Sequence, residues 1–179
     1  MTGWEHVLDT LVRERGPALV RYAALLTGGV ADAEDLVQEA LVRSFSQGRP
    51  LREPAAAEGY VRRAILSIYL DGYRRRRRWS DVRHLLVRDD EAAGPETASG
   101  DRVDVAQALA TLRPRLRACV VLRFFDDLTV PEIARRLGLS DGTVKRYLSD
   151  AIDALEGVLG PLPDAETTDV TLIETGSRR

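Results

Sequence analysis

Residues 128–148 constrain the fold more than any other part of the sequence, because they carry the signals of two short helices joined by a tight turn. Thr129 is a candidate N-cap, and Pro131 is tolerated in the first turn of the helix that follows. Gly138 can supply the turn, and Ser140 can cap a second helix. The segment therefore predicts a helix-turn-helix.

The side chains of this segment divide into an apolar side and a polar side. Those expected to pack inward are Ile133, Ala134, Leu137, Leu139, Val144 and Leu148. In helix-turn-helix proteins the start of the second helix enters the major groove, and neighbouring basic residues contact phosphates. The predicted DNA-binding residues are Arg135, Arg136, Ser140, Asp141, Thr143, Lys145, Arg146 and Ser149. The alternative is an ordinary helical hairpin with a solvated charged face.

Composition and spacing extend the helical prediction to the whole chain. Ala, Leu, Arg and Glu dominate, and runs of β-branched residues are nearly absent, so we expect an all-α protein. Apolar residues recur at helical spacing in the first half of the chain. Gly16-Pro17 and Gly28-Gly29 are expected to separate the helices there.

Two longer helices are expected to follow. One runs from Asp32, a candidate N-cap, toward Phe45. The next runs from about Glu58 to Arg78, with a kink or an early end at Gly72. In the second half, Pro114 is expected to open a helix in its tolerated first-turn position. The apolar stripe of that helix is Leu116, Val120, Val121, Phe124 and Phe125.

Charge divides the chain into two parts. Residues 60–88 hold nine Arg and two Asp, whereas residues 89–104 hold six acidic residues and one Arg. An acidic, apolar-poor stretch is typical of a flexible linker. We therefore expect two small helical domains joined by a flexible acidic linker, the C-terminal domain being the helix-turn-helix. The expected boundaries are 1–88, 89–103 for the linker, 104–160, and 161–179 for a disordered tail.

The fourth helix combines a run of arginines with aromatic residues. Over about 21 residues it would be roughly 30 Å long. Its end carries Arg74–Arg78 and Trp79, preceded by Tyr69 and Tyr73. Guanidinium groups neutralise phosphates and aromatic faces stack on unpaired bases, which favours single-stranded or melting DNA over intact duplex. The alternative is a solvated basic helix end or a general nucleic-acid patch.

Residues 32–39 carry four acids and no base. They could be only a solvated helix start, because acids are stabilised at the positive end of the helix dipole. The other hypothesis is a protein-binding helix, since an acidic face would be repelled by DNA. A second partner besides DNA would then be a protein.

The remaining residues argue against several other kinds of site. Cys119, the only cysteine, lies in an apolar run and is expected to be a core residue. With only His6 and His84 besides, we expect no metal cluster and no cofactor. We expect no enzyme either, because no nucleophile–base set or phosphate-binding glycine loop is evident. No apolar stretch approaches the ~20 residues of a membrane span, and the N-terminus lacks a signal-peptide pattern, so a cytoplasmic protein is expected.

Taken in order, these segments resemble the extracytoplasmic-function (ECF) sigma factors, in particular the small actinobacterial type. The resemblance covers residues 5–160 apart from the linker. It implies a subunit that binds core RNA polymerase and directs it to promoter DNA. It also assigns Asp35, Gln38 and Glu39 to contacts with the clamp helices of the polymerase's largest subunit.

The same resemblance divides the DNA contacts between the two domains. The helix-turn-helix is expected to recognise the minus-thirty-five element. The residues expected to melt and recognise the minus-ten element are Arg62, Arg63, Ser67, Asp71, Arg74, Arg75, Arg76, Arg77, Arg78 and Trp79. Leu66-Ser67 replaces the family's usual Arg-Asn pair, so an unusual minus-ten preference is expected. Arg113 and Leu116 replace a common Pro and Gln, which we interpret as packing variation.

Two other classes of protein are compatible with parts of the sequence. A stand-alone transcription regulator would bind duplex operators without polymerase, but it would need neither the acidic helix nor the aromatic-arginine helix. An interaction protein of the anti-sigma or scaffold type would bind no DNA. The sequence leaves open the promoter, control by an anti-sigma factor, and whether the tail is regulatory or simply disordered.

Overall fold

The computed structural model describes residues 3–46, 54–83 and 105–159, with the backbone alone for residues 3, 54 and 76–83. Within these ranges the chain forms helices and no strand, which confirms the all-α prediction. The helices are α1 (Gly3–Thr27), α2 (Val30–Ser46), α3 (Pro54–Arg83), α4 (Val105–Ala110), α5 (Pro114–Phe124), α6 (Val130–Leu137) and α7 (Asp141–Leu159). The predicted linker 89–103 and tail 161–179 lie outside the described residues.

The first three helices form a bundle around an aliphatic core. Each of α1, α2 and α3 packs against the other two. Their apolar residues recur at helical spacing, so one stripe from each helix faces the bundle axis. Side chains completely or almost completely buried in this core are Leu11, Leu19, Tyr22, Leu26, Ala40, Val61 and Ile65.

The first helix continues through Gly16-Pro17, so the break predicted at this pair is wrong. Proline lacks an N–H and removes one helical hydrogen bond, which costs about 3 kcal/mol inside a helix. Leu11 and Leu19 lie on either side of the pair and are fully buried. Burial of each leucine contributes about 1.5–3 kcal/mol, which offsets the proline and keeps the two halves in one helix.

The connection between α1 and α2 is close to the one predicted. The break at Gly28-Gly29 is confirmed, because α1 ends at Thr27. Gly28 has a φ of +87°, in the left-handed region that glycine adopts without strain. The second helix begins at Val30 and not at Asp32.

The third helix is longer than predicted and continues through Gly72 to Arg83, so the early end expected at this glycine is wrong. Leu66 and Tyr69, in the preceding turns, are buried against the other helices. Their packing offsets the cost of about 1 kcal/mol that glycine carries in a helix. Leu66 occupies a position where the family pattern is polar, and its burial makes it a core residue.

Helices α4–α7 form the second bundle. Pro114 begins α5 as predicted. Cys119 is fully buried, and this burial raises the pKa of its thiol to about 11, which confirms a core residue. Phe124 and Phe125 depart from the expected apolar stripe and are 68% and 44% exposed. The reason is that α5 ends at Phe124, where the chain turns away from the core.

The two bundles pack against each other, a feature that was not predicted from the sequence. Helices α4 and α5 contact α1, and α5 also contacts α3. A close approach occurs between Gly28 and Ala110. A Cβ atom built on Gly28 would lie 2.6 Å from the Ala110 Cβ, so the packing requires glycine at this position.

Candidate nucleic-acid interface

The start of α6 is fixed by Thr129 and Glu132. The Glu132 carboxylate accepts hydrogen bonds from the Thr129 backbone N–H at 2.8 Å and from the Thr129 hydroxyl at 2.6 Å. These bonds stabilise the ionised carboxylate and lower the pKa of Glu132. Thr129 is the N-cap residue of α6, as predicted, and its backbone N–H is satisfied by the Glu132 side chain in the manner of a capping box.

The turn between α6 and α7 has the geometry predicted from its residues. Gly138 is left-handed, with φ 64° and ψ 43°. The Leu139 N–H donates to the Ala134 carbonyl at 2.9 Å and closes the end of α6. The Ser140 hydroxyl oxygen accepts from the Thr143 N–H at 3.2 Å and caps α7. The helix-turn-helix prediction is therefore confirmed.

Packing between α5, α6 and α7 determines which side chains face outward. Ile133 and Val144 are completely buried and Ala134 nearly so, as predicted. Residues of the predicted DNA-binding set that are exposed are Arg135, Arg136, Ser140, Asp141, Lys145, Arg146 and Ser149. Thr143 is half-buried, and its hydroxyl lies 2.9 Å from that of Ser140. The exposed residues thus form a mainly basic surface at the start of α7 and the end of α6.

A second exposed polar surface lies along α3. Arg63 and Ser67 are exposed, and the Arg63 guanidinium lies 5.7 Å from the centroid of the Tyr60 ring. Asp71 accepts from Ser67 at 3.4 Å and from Arg74 at 3.3 Å. The side chains of Arg76, Arg77, Arg78 and Trp79 lie outside the described residues. Among the preceding aromatic residues, Tyr69 is buried and Tyr73 is half-buried.

The first residue of the predicted minus-ten set, Arg62, lies between the two bundles. It donates to Glu58 at 2.8 Å and to Asp126 of the second bundle at 2.9 Å. Its guanidinium carbon is 5.3 Å from the centroid of the Tyr22 ring and 5.6 Å from that of Phe125. We call these five residues the Arg62 cluster.

The charges of the Arg62 cluster change the ionisation of its members. Burial alone would raise the pKa of Glu58, but hydrogen bonds and charges from Arg15 and Arg62 outweigh it and lower that pKa. Burial, reinforced by the charge of Asp126, raises the pKa of Tyr22. Sequence reasoning missed this cluster, because Arg62 and Asp126 are 64 positions apart and nothing local links them.

The residues assigned to polymerase binding lie on the exposed side of α2. Asp35, Gln38 and Glu39 are all exposed, and their spacing of three and four places them on one helix face. Asp35 and Glu39 line a groove of about 740 Å³ between the bundles. Its opposite wall includes Pro114 and Arg117 of α5.

In the described part of the chain, no group of three or more His, Cys, Asp or Glu residues is placed to hold a metal ion. Among the described helices, none combines the length and apolar character that crossing a membrane requires.

Comparison with known families gives two matches that follow the two bundles. Sigma-70 region 2 matches residues 11–79, and Sigma-70, region 4 matches residues 102–155. The chain is 33% identical over 147 residues to the RNA polymerase sigma-E factor of Streptomyces avermitilis, covering 82% of each protein. It is 30% identical over 164 residues to the ECF RNA polymerase sigma factor SigL of Mycobacterium tuberculosis, covering 87% of this chain and 90% of that protein.

Two solved structures are similar in fold. The sigma factor RpoE from Bartonella quintana, in complex with the anti-sigma factor NepR, is 22% identical, with a TM-score of 0.57. That comparison covers 89% of this chain and 98% of the other. CnrH, in complex with the cytosolic domain of CnrY, is 25% identical with a TM-score of 0.52, and 87% and 88% of the two chains are covered.

The region 2 match on the first bundle and the region 4 match on the helix-turn-helix bundle define a sigma factor, which directs promoter-specific transcription initiation. The identity to the Streptomyces and Mycobacterium proteins extends over more than four-fifths of the chain. The chain belongs to the ECF family of sigma factors.

Proposed function

We propose that the two bundles divide the work of initiation. Residues 1–88 would hold core RNA polymerase and open the minus-ten element, and residues 104–160 would hold the minus-thirty-five element. The observation that carries this proposal is the exposed basic start of α7, held by a capped helix-turn-helix. The chain would act in the cytoplasm with core polymerase and promoter DNA, and the polymerase would supply the catalytic residues.

The helix-turn-helix surface suits recognition of duplex DNA. Lys145 and Arg146 are exposed within the first two turns of α7, the part that enters the major groove in this motif. Each well-placed bidentate contact with a base contributes about 1–3 kcal/mol of discrimination. Arg135 and Arg136, exposed at the end of α6, would contact the phosphates and fix the register.

The exposed surface of α3 suits capture of a separated strand. Arg63, Arg74 and Arg75 are exposed there and can neutralise phosphates, as can the predicted Arg76, Arg77 and Arg78. Trp79 would offer a stacking face for an unpaired base. Because Leu66 is buried, only Ser67 of the Leu66-Ser67 pair is available to DNA. An unusual minus-ten preference would therefore depend on Ser67.

The acidic face of α2 suits a protein partner, and a charge reversal tests this assignment. Glu39→Lys should weaken binding of the full chain to core polymerase, measured by fluorescence anisotropy of the labelled protein. Glu14→Lys is the matched control, because Glu14 is an exposed acid on α1 of the same bundle. Equal affinities for both variants and the parent protein would contradict the assignment of Asp35, Gln38 and Glu39.

The DNA assignment is tested with the assembled holoenzyme. Lys145→Ala and Arg146→Ala should each weaken binding to a promoter fragment about 5- to 150-fold, the factor that 1–3 kcal/mol represents. Arg13→Ala is the control, since Arg13 is an exposed base on α1, away from the helix-turn-helix. Promoter binding unchanged in all three variants would show that the start of α7 does not contact DNA.

Both solved structures of similar fold contain a second protein, which is the anti-sigma factor NepR in one and the cytosolic domain of CnrY in the other. We propose that an anti-sigma factor likewise restrains this protein. The test is copurification of the full chain with its partners from the native cell. Recovery of a small partner that competes with core polymerase supports the proposal, and recovery of the free chain alone contradicts it.

A further inference from the structure

A second groove of the structure differs in charge from the one beside Asp35. It has a volume of about 860 Å³ and lies between α3, the start of α5 and α7. The described residues that line it include four arginines and one acid, whereas four acids and three arginines line the groove beside Asp35. We call it the arginine groove, and its charged residues are Arg74, Arg113, Arg115, Arg146 and Asp150.

The protein itself neutralises little of the positive charge in the arginine groove. Arg74 is paired with Asp71, at 3.3 Å. Among the described residues, Arg113, Arg115 and Arg146 form no ion pair. Clustered charges of one sign repel one another, and a groove that carries them attracts ions of the opposite sign. The arginine groove is therefore suited to an anion.

Arg115 gives the clearest sign of a missing partner, because this arginine is half-buried. The three other buried or half-buried arginines of the described chain all donate hydrogen bonds. Arg62 donates to two carboxylates, Arg117 to backbone carbonyls and Arg123 to the Leu128 carbonyl. Arg115 has no such partner among the described residues. A charge withdrawn from water is costly unless it is paired, so an anionic ligand would stabilise Arg115.

Two tyrosines add an aromatic surface to the arginine groove. Tyr73 of α3 and Tyr147 of α7 line it, and both are half-buried. Tyr147 packs against the hydrophobic core, and the Arg146 guanidinium carbon lies 5.6 Å from the centroid of its ring. Tyr73 lies outside that core. Aromatic faces stack on nucleobases and guanidiniums bind phosphates, so Tyr73 and the arginines together suit a nucleotide.

We propose that the arginine groove binds a free nucleoside polyphosphate, with its phosphates on Arg113 and Arg115 and its base on Tyr73. The volume of the groove lies within the ~300–1,000 Å³ of typical small-molecule sites. A polyphosphate concentrates several negative charges in one place, whereas a nucleic-acid strand carries one charge per nucleotide. Arginines that meet in one groove match the concentrated charge. Arg113 and Arg115 belong to neither predicted DNA-binding set, so this site goes beyond the proposed function.

Isothermal titration calorimetry of the full chain with ATP and with GTP tests the phosphate contacts. Glutamine removes the charge of an arginine and keeps most of its length. Arg113→Gln and Arg115→Gln should each weaken binding at least about tenfold, the factor that one hydrogen bond to a charged group represents. Arg21→Gln is the matched control, because Arg21 is exposed on α1 and lines neither groove. Its affinity should equal that of the parent chain.

Two results of this titration would overturn the proposal. One is that neither ATP nor GTP binds the parent chain at millimolar concentration. The other is that Arg113→Gln and Arg115→Gln both bind as tightly as the parent chain and Arg21→Gln. Arg113 is exposed, so a folding defect in the Arg115 variant would still leave a decisive measurement.

The base contact is tested at Tyr73, where leucine keeps the apolar bulk and removes the aromatic face. Tyr73→Leu should weaken binding of ATP and GTP about 5- to 150-fold, the range for one base stacked on an aromatic ring. It should leave the affinity for inorganic triphosphate unchanged. If inorganic triphosphate binds the parent chain as tightly as ATP and GTP do, or if Tyr73→Leu has no effect, the groove is a general anion site and the proposal is wrong.

A competition experiment separates a free nucleotide from a nucleic-acid strand. The competitor is a short single-stranded oligonucleotide with a 5′-hydroxyl end, which carries bases and phosphates but no polyphosphate. We expect it to displace ATP from the parent chain only at a concentration at least about tenfold above that of ATP, because it lacks the concentrated charge. Displacement at equal concentration would show that the arginine groove takes a strand, and would overturn the proposal.

Discussion

Replacement of Arg117 by methionine should destabilise the protein strongly. The Arg117 side chain is buried and donates to the carbonyls of Leu26, Ala110 and Leu112, the last at 3.2 Å. Ala110 is the last residue of α4 and Leu112 lies two positions beyond it, so the guanidinium replaces backbone donors that a longer helix would provide. Without Arg117 all three carbonyls lose this donor.

The size of the effect follows from these contacts. A hydrogen bond from a charged donor contributes about 1.5–3 kcal/mol, so three contribute at least about 4.5 kcal/mol in gross terms. Burial disfavours the charged form of the guanidinium and lowers the pKa of Arg117. Methionine is uncharged, so it removes this desolvation cost while filling much of the same volume. We therefore expect a net loss of about 2–4 kcal/mol in the free energy of unfolding.

Urea unfolding followed by circular dichroism measures this loss. With a slope of about 1–3 kcal/mol per molar, the midpoint of Arg117→Met should fall by about 0.7–4 M. Arg115→Met is the control on the same helix, and we expect a change within about 0.5 kcal/mol, because Arg115 is half-buried beside a groove. A loss below about 1 kcal/mol for Arg117→Met would refute the argument that this arginine stabilises the end of α4.

Two other predictions concern stability. Folding lowers the pKa of Glu58, so its ion pairs stabilise the folded protein at any pH above the unfolded pKa of about 4.3. This contribution to stability is lost as the pH falls through the folded pKa. In thermal melts from pH 7 to pH 3, the melting temperature of Glu58→Gln should therefore fall less steeply with pH than that of the parent chain. Equal slopes of melting temperature against pH would contradict the pairing. Ile133→Ala, at a fully buried position, should cost about 2–5 kcal/mol in chemical unfolding, whereas Ile152→Ala, at a position 37% exposed, should cost less than half as much.

The helix-turn-helix could be predicted residue by residue because its signals are local. Thr129 with Glu132, and Ser140 with Thr143, are three positions apart in the chain and hydrogen-bonded in the structure. Gly138 adopts the left-handed conformation that the turn requires. In this segment the local conformational preferences of the residues favour the same structure that their packing stabilises, so the helix-turn-helix could be predicted from the sequence.

Predictions that depended on tertiary packing were less successful. Gly16-Pro17 did not end α1, because burial of the flanking Leu11 and Leu19 outweighs a local preference. The contact of Arg62 with Asp126 joins residues 64 positions apart, and many arginines and acids in this chain could have paired instead. The division into two bundles could be predicted from composition, but their packing against each other could not.

The central claim, that the chain is a sigma factor, is tested most directly by run-off transcription with core RNA polymerase. The template is a promoter from the region upstream of the chain's own gene, and reactions are compared with and without the protein. We predict initiation at one site that depends on the protein and is lost in the double variant Lys145→Glu, Arg146→Glu. Absence of initiation, together with tight binding of the free protein to duplex DNA, would contradict the claim and indicate a stand-alone regulator.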